Sequence, residues 1–111
     1  MAREWEFVVV WEFRVCPDAK ERFEMVYGPH GEWAALFAQS HDFVRTELVR
    51  DPADLLLFRT LDYWTSRAAY DNFRELHAAD YNAIDARCEA MTETEVEIGR
   101  FDRDEFASAK G

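Results

Sequence analysis

The chain has 111 residues, which is enough for one domain with a single hydrophobic core. Hydrophobic residues make up 49% and aromatic residues 15% of the sequence, and this composition argues against a disordered or fibrous chain. With 13 Lys and Arg against 23 Asp and Glu, the net charge is −10. We therefore expect neither nucleic acid nor an anionic membrane surface as a partner.

The chain lacks the usual sequence signals for a membrane or an oxidising compartment. Its apolar runs, Phe7 to Trp11 for example, are far shorter than the roughly 20 residues that a transmembrane helix needs. The N-terminal residues lack the charged-then-apolar pattern of a secretion signal. Cys16 and Cys88 are too few for a disulfide framework and form no CxxC pair. We expect a cytoplasmic protein whose two reduced cysteines are small core residues.

A first strand is predicted over Glu4–Val15, because aromatic and β-branched residues occupy every second position there. Val8 and Val10 make the middle of the opposite face apolar as well. We expect this strand to be covered on both sides at its centre. Pro17 then suits a first helical turn, and the helix that follows is predicted to end at Gly28.

The rest of the chain predicts a short helical piece from His30, a hairpin, a longer helical stretch and a last strand. The hairpin turns at Asp51–Asp54, where Pro and Asp favour a turn. Thr65 and Ser66 can cap the helix that follows. The remaining predicted strands are Phe43–Arg50, Leu55–Trp64 and Thr92–Phe101.

The predicted order is β-α-β-β-α-β, with an additional helical piece after each main helix. This order is typical of an α+β, ferredoxin-like sandwich, in which helices cover one face of a four-stranded antiparallel sheet. We expect a single domain over residues 1–101 and a polar C-terminal tail over residues 102–111.

The sheet face opposite the helices is predicted to be apolar, because Val8, Val10 and the run Leu55–Phe58 place apolar side chains on both sides of their strands. Such a face exposes more apolar surface than soluble monomers usually do. We therefore predict a homodimer that pairs the two sheets face to face; the alternative is a monomer whose strand charges face solvent. Five mid-strand charges are expected to form ion pairs at or beside the contact: Arg45, Glu47, Arg59, Glu95 and Glu97.

Three segments resemble the antibiotic biosynthesis monooxygenase-like family of the dimeric α/β-barrel superfamily: Tyr27–Trp33, Phe43–Asp51 and Asp62–Tyr70. The most specific element is a strand that ends in Trp64, followed by a short capped helix that carries Tyr70. The resemblance implies a homodimer whose two sheets form a barrel, with a ligand pocket between each sheet and its helices.

The resemblance also implies chemistry, because characterised relatives oxidise electron-rich aromatic polyketides with O₂ and without metal or flavin. There the deprotonated substrate reduces oxygen, and the protein supplies a dry aromatic pocket, a base and hydrogen-bond donors. Trp64 and Tyr70 correspond to aromatic residues of the family, whereas Thr60 replaces an amide side chain often found before the Trp. We predict a monooxygenase-like protein that needs no cofactor and no metal and binds an aromatic, polyketide-like molecule.

Two histidines complete the candidate catalytic set of Trp64, Tyr70, His30 and His77. His30 is the best base near neutral pH if it borders the pocket, and His77 shares a helix stripe with Tyr70. Core packing for Trp64 and Tyr70, and ordinary surface or rim positions for the histidines, are the structural alternatives. The predicted substrate-binding residues are Tyr27, Trp33, Phe37, Thr60, Phe73 and Tyr81, and Tyr63 is added as a further aromatic wall.

Several other chemistries are disfavoured by the sequence. A haem-degrading branch of the superfamily uses an Asn on the first strand and a helix His, but here that strand has no Asn and the ligand position falls near Arg74. The histidines lack metal-ligand spacing, and neither a GxSxG motif nor a Gly-rich phosphate loop is present. Two alternatives stay open: a non-catalytic ligand-binding or structural dimer, and an isomerase or cyclase with a His or Tyr base.

Overall fold

The strands and helices follow the predicted order β-α-β-β-α-β, with a second helix after each main helix. The computed structural model describes residues 4–104, so most of the predicted C-terminal tail lies outside the described residues. The strands are β1 (Phe7–Val15), β2 (Phe43–Arg50), β3 (Leu57–Trp64) and β4 (Thr92–Asp102). The helices are α1 (Lys20–Tyr27), α2 (Glu32–Phe37), α3 (Arg67–Leu76) and α4 (Ala78–Cys88), with short 3₁₀ turns at Pro17–Ala19 and Glu89–Met91.

The four strands form one antiparallel sheet in the order β2-β3-β1-β4. In the centre of the sheet, β1 runs against β3 with Phe7 opposite Trp64. β4 is an edge strand, and its pairing with β1 shifts between Val10 and Trp11. This is the α+β, ferredoxin-like arrangement that the sequence predicts.

The main core lies between one face of the sheet and the helices, because alternate residues of β1 point towards them. Phe7, Val9 and Val15 are at most 1% exposed. Aromatic rings of the helices pack onto this face; Phe23 and Tyr27 of α1, for example, stack with their ring centres 4.2 Å apart. The helices formed by the described residues are all too short or too polar to cross a membrane.

The opposite face of the sheet, which we call the back face, has a small apolar cluster of its own. Val8, Val10 and Tyr63 are buried there, and Trp5 and Leu61 are among the side chains packed against them. The centre of the back face is therefore partly covered within a single chain. Apolar side chains that stay exposed on this face include Val49, Val96 and Phe101.

Two predictions about the back face are wrong. β3 begins at Leu57, so Leu55 and Leu56 lie in the preceding turn, and Leu55 is an exposed turn residue. Glu95 and Glu97 lie on the helix side of the sheet, because they are the cross-strand partners of Phe13 and Trp11 and paired residues share a face.

The other predicted back-face charges are placed as expected and form ion pairs within the chain. Arg45 pairs with Glu47 at 3.0 Å, and Arg59 pairs with Glu12 at 3.0 Å. These pairs are partly exposed, so each contributes little to stability in a single chain.

Candidate active site

A narrow cavity lies between the centre of the sheet and the helices, with an internal volume of about 30 Å³. Two walls can be distinguished by the elements that build them. The sheet wall consists of Trp11, Phe13, Thr46, Thr60, Asp62 and Glu95. The helical wall consists of Tyr27, Trp33, Phe37, Tyr81 and Asp85. Its lining of aromatic rings with a few polar groups has the chemical character of a site for a mainly apolar ligand.

Asp62 is a buried carboxyl group on the sheet wall, and it is 8% exposed. It lies on β3 opposite Thr46 of β2, whose hydroxyl donates a hydrogen bond of 2.6 Å to the Asp62 carboxylate. Burial raises the pKa of Asp62 to about 7, and the hydrogen bond from Thr46 opposes that shift. A carboxyl group that titrates near neutral pH can take up a proton and give it back during a reaction.

Tyr27 and Trp33 of the helical wall lie beside Cys88 of α4, which is outside the cavity lining. The indole N–H of Trp33 is buried and faces the Tyr27 hydroxyl and the Cys88 thiol. Burial raises the pKa of the Tyr27 phenol, Cys88 raises it further, and the neighbouring Trp33 N–H lowers it. Burial also raises the pKa of the Cys88 thiol. Tyr27 and Cys88 therefore stay protonated near neutral pH.

The mouth of the cavity carries charges of both signs. The Arg74 guanidinium stacks on the Tyr81 ring, 3.7 Å from its centre, and donates a hydrogen bond of 2.9 Å to the Tyr70 hydroxyl. Burial raises the pKa of Glu95, and the nearby Asp85 carboxylate raises it further. Tyr81 lines both the cavity and the outer groove that contains Arg74, so it marks the passage between them.

Most of the predicted substrate-binding residues meet at this cavity. Five of them line it: Tyr27, Trp33, Phe37, Thr60 and Tyr81. Phe73 lies behind the cavity, in the core, with its ring 5.5 Å from that of Phe37. The prediction that Tyr63 lines the pocket is wrong. Successive side chains of β3 point to opposite faces of the sheet, so Asp62 faces the cavity and Tyr63 faces the back face.

The four predicted catalytic residues do not line the cavity. Trp64 is fully buried, and the rings around it belong to Phe37, Phe43, Tyr70 and Phe73. The buried Tyr70 ring packs on Trp64, and its hydroxyl accepts the hydrogen bond from Arg74. His30 is exposed in the turn before α2, whereas the half-buried His77 stacks on Phe73 at 4.7 Å. Their catalytic roles stay predictions.

Asp62 is the functional candidate that sequence reasoning missed, although a signal for it exists. Thr60, Asp62 and Trp64 alternate along β3 and therefore share one face of the sheet. A carboxyl group between two residues already assigned to the pocket side is a base candidate. Within residues 4–104 no three His, Cys, Asp or Glu side chains form a group that could hold a metal ion.

Comparison with known proteins gives one family and several structures of similar fold. Residues 6–80 match the model of the antibiotic biosynthesis monooxygenase family. SnoaB, a cofactor-independent oxygenase from Streptomyces nogalater, is 24% identical, covers 92% of this chain and 96% of its own, and gives a TM-score of 0.73. PA3566 from Pseudomonas aeruginosa is 18% identical, with coverage of 91% and 96% and a TM-score of 0.59.

A conserved protein from Methanosarcina mazei Go1 is 13% identical, covers 90% of this chain and 94% of its own, and gives a TM-score of 0.68. The search of curated proteins finds no match. At these identities the structural likeness shows a shared fold.

Proposed function

The chain belongs to the antibiotic biosynthesis monooxygenase family, and on that premise we propose that it oxygenates a flat ring ketone or phenol with O₂ and without a cofactor. The observation that carries the proposal is the buried Asp62 carboxyl group on the wall of a cavity otherwise lined largely by aromatic rings. The description of SnoaB as a cofactor-independent oxygenase supports the same class of reaction.

The reaction begins with a proton transfer to Asp62. Its carboxylate takes a proton from an acidic CH₂ group conjugated with a ring carbonyl, which in anthrone lies across the central ring from it, and the substrate becomes a carbanion whose charge spreads onto the carbonyl oxygen. The Thr46 hydroxyl donates to the carboxylate at 2.6 Å and so fixes the direction in which Asp62 accepts the proton. Because Asp62 titrates near pH 7, a large fraction is ionised at neutral pH and ready to act as base.

Oxygen then reacts with the carbanion directly. The carbanion gives one electron to O₂, the resulting radical and superoxide combine into a peroxide anion at that carbon, and the proton held by Asp62 converts this anion into a hydroperoxide. Loss of water from the hydroperoxide leaves a new C=O group. One oxygen atom enters the product, the other leaves as water, and the substrate supplies all the electrons. The aromatic walls keep bulk water away from the charged intermediate.

The test is oxygen uptake with anthrone as substrate. We expect wild-type protein to consume O₂ faster than buffer and Asp62→Asn to lose about 100-fold or more in rate, because the amide cannot take the proton. Asp18→Asn is the matched control, since Asp18 is an exposed carboxylate in the 3₁₀ turn before α1, and it should behave as wild type.

Each contrary outcome points to a different function. Anthrone that binds without O₂ uptake would contradict the proposal and favour a non-catalytic binding protein. Proton exchange or cyclisation of the ligand without O₂ uptake would indicate an isomerase or cyclase. Full activity of Asp62→Asn, combined with loss of activity in Tyr70→Phe or His30→Ala, would move the base to a residue away from the cavity.

A further inference from the structure

Arg74 is a half-buried cation whose charge is not balanced by an acidic side chain of the described chain. Its guanidinium donates a hydrogen bond of 2.9 Å to the Tyr70 hydroxyl and stacks on the Tyr81 ring, 3.7 Å from its centre. Within residues 4–104 no Asp or Glu forms an ion pair with it. Both of its neighbours are neutral phenols, so they hold the guanidinium in place without neutralising it.

Arg74 differs in this respect from the other arginines between residues 4 and 104. Each of them forms an ion pair with Asp or Glu, except Arg22 and Arg50. Those two are exposed, where water and salt screen a charge, whereas Arg74 is half-buried. The chain has 23 acidic against 13 basic residues, so acids to pair with are not in short supply. The unpaired guanidinium therefore points to an anion that is not part of the described chain.

The outer groove brings Arg74 close to the mouth of the cavity. The groove and the cavity share Trp11, Tyr81, Asp85 and Glu95 in their linings, so the two spaces meet there. The groove is open and has a volume of about 360 Å³, whereas the cavity has about 30 Å³. A ring system with one edge in the cavity therefore leaves its other end in the groove, beside Tyr81 and Arg74.

The charges along the outer groove favour a single carboxylate over a phosphate as the anion. Arg100 of β4 lines the same groove, but Glu97 already pairs with it at 3.1 Å. Asp85 and Glu95 line the groove as well and repel further negative charge. One carboxylate balances the single positive charge of Arg74, whereas a phosphate group carries up to about two negative charges near pH 7.

We propose that Arg74 binds a carboxylate group of the substrate and so selects aromatic carboxylic acids among the ring ketones. Its Nη1 atom is bonded to Tyr70, which leaves Nε and Nη2 to donate two parallel hydrogen bonds to the carboxylate oxygens. The inference rests on the proposed function, because it places the carboxylate on the ring ketone that reaches Asp62. Arg74 is outside the cavity lining, so it positions the substrate without touching the reacting carbon.

The first measurement compares two ligands on the wild-type protein, so it does not depend on how a variant folds. The probes are anthraquinone-2-carboxylate and anthraquinone-2-carboxamide, which are nearly equal in shape and differ in charge. We expect the carboxylate to bind about tenfold or more tightly, because it alone balances Arg74. The net charge of −10 opposes this preference, so general attraction of anions cannot produce it. Equal affinity for the two probes, or no binding of the carboxylate, would overturn the inference.

The second measurement repeats both titrations on variants. Arg74→Gln should bind the carboxylate about tenfold more weakly and the carboxamide nearly as wild type does, and the carboxamide result shows that the variant is folded. Arg74→Lys keeps the charge but not the planar pair of donors, so its preference should fall between the two. Arg22→Gln is the matched control, since Arg22 is exposed on α1 and its loss changes the net charge equally. A carboxylate preference that survives Arg74→Gln would contradict the role of Arg74.

Oxygen uptake separates this inference from the proposed function. With anthrone-2-carboxylate as substrate, Arg74→Gln should raise KM about tenfold rather than lower kcat, because the ion pair is equally strong before and during the reaction. A carboxylate preference that depends on Arg74, found without O₂ uptake, would keep the carboxylate site and reject the oxygenase. O₂ uptake that depends on Asp62, with the same KM in Arg74→Gln as in wild type, would keep the oxygenase and reject the carboxylate site.

Discussion

The carboxyl group of Asp62 lies on β3, which runs between β2 and β1, and little water reaches it. Its pKa is raised from 3.8 to about 7 by burial, so the folded protein favours the protonated acid. Below about pH 4 the group is protonated in both the folded and the unfolded chain. Between about pH 4 and 7 the unfolded chain loses this proton more readily, and the folded state becomes less stable as the pH rises.

The first prediction compares the unfolding free energies of wild type and Asp62→Asn at several pH values. Because the amide has no charge to bury, we expect the difference to shift in favour of the variant by roughly 4 kcal/mol between about pH 4 and pH 8. Urea denaturation at each pH gives this difference. Asp18→Asn, at an exposed site, is the matched control, and a flat difference for Asp62→Asn would contradict the burial of its charge.

The second prediction concerns the pH dependence of O₂ uptake. The base form of Asp62 increases as the pH rises through its pKa of about 7, so the rate with anthrone should increase over the same range and then level off. Initial rates corrected for the buffer reaction test this. A rate that is already constant at pH 5 would show that a different group takes the proton.

At the scale of single residues, the sequence predicts the aromatic residues that line the cavity, but it does not predict the carboxyl group among them. Tyr27, Trp33, Phe37 and Tyr81 are found because aromatic residues at helical spacing face the sheet. Asp62 is missed because its burial depends on the pairing of β3 with β2, which places Thr46 beside it. Strand alternation shows which face of its own strand each of the two residues occupies. The register that sets them side by side is a property of the assembled sheet.

At the scale of elements, α1 and α2 meet at a junction too tight for a side chain. A Cβ atom on Gly31 would clash with the backbone carbonyl oxygens of Met25 and Val26. Backbone atoms cannot turn away as a flexible side chain can, so the two helices would have to move apart. The junction also sets the position of α2, which carries Trp33 and Phe37 into the cavity.

The third prediction is that Gly31→Ala destabilises the protein by about 1–3 kcal/mol and weakens binding of anthraquinone, because α2 shifts away from the sheet. Urea denaturation and a fluorescence titration measure the two effects. Ala35→Gly is a useful control, since Ala35 is exposed on α2 and its change should lower helix stability without moving the junction. Unchanged stability of Gly31→Ala would contradict the close approach.

The fourth prediction concerns the start of α3, where a predicted cap is confirmed. The Ser66 hydroxyl oxygen accepts a hydrogen bond of 3.0 Å from the Ala69 N–H. Ser66→Ala should cost about 1 kcal/mol of unfolding free energy, and Ser66→Asp should keep most of it because a carboxylate caps equally well. Equal loss in both variants would show that the hydroxyl does not stabilise the helix through this bond.

The order of strands and helices is predictable here because apolar periodicity and turn residues agree. The start of β3 is not predictable in the same way. The run from Leu55 to Phe58 looks like a strand, but the Asp54 carboxylate accepts a hydrogen bond from the Leu56 N–H. The Asp51 carboxylate accepts two more, from the N–H groups of Ala53 and Asp54. These local hydrogen bonds extend the turn, so β3 begins only at Leu57.

At the scale of the whole molecule, the two faces of the sheet differ in how much of their apolar surface the chain itself covers. Helices cover one face, while on the back face Trp5 and its neighbours cover only the centre. Val49, Val96 and Phe101 are 46%, 51% and 48% exposed around that centre. The sequence predicts an apolar back face correctly, but it does not show that Trp5 folds over part of it.

We propose that a second copy of the chain covers the rest of the back face. A two-fold axis through the back face would bring the exposed Val49, Val96 and Phe101 of each copy against the same face of its partner and remove them from water. Arg45 and Glu47 are already paired within the chain, as are Arg59 and Glu12. The patch can therefore be buried without leaving these four charges unpaired.

The fifth prediction is that the wild-type protein sediments with the mass of two chains at micromolar concentration and that Val96→Asp sediments as one. A carboxylate at position 96 would be buried without a partner in the dimer, while it stays solvated in the monomer, so the substitution favours dissociation. Leu76→Asp is the matched control, because Leu76 is 74% exposed at the end of α3 and lies in the helix layer. A wild-type monomer, or a Val96→Asp dimer of wild-type stability, would show that the back face is not the contact between copies.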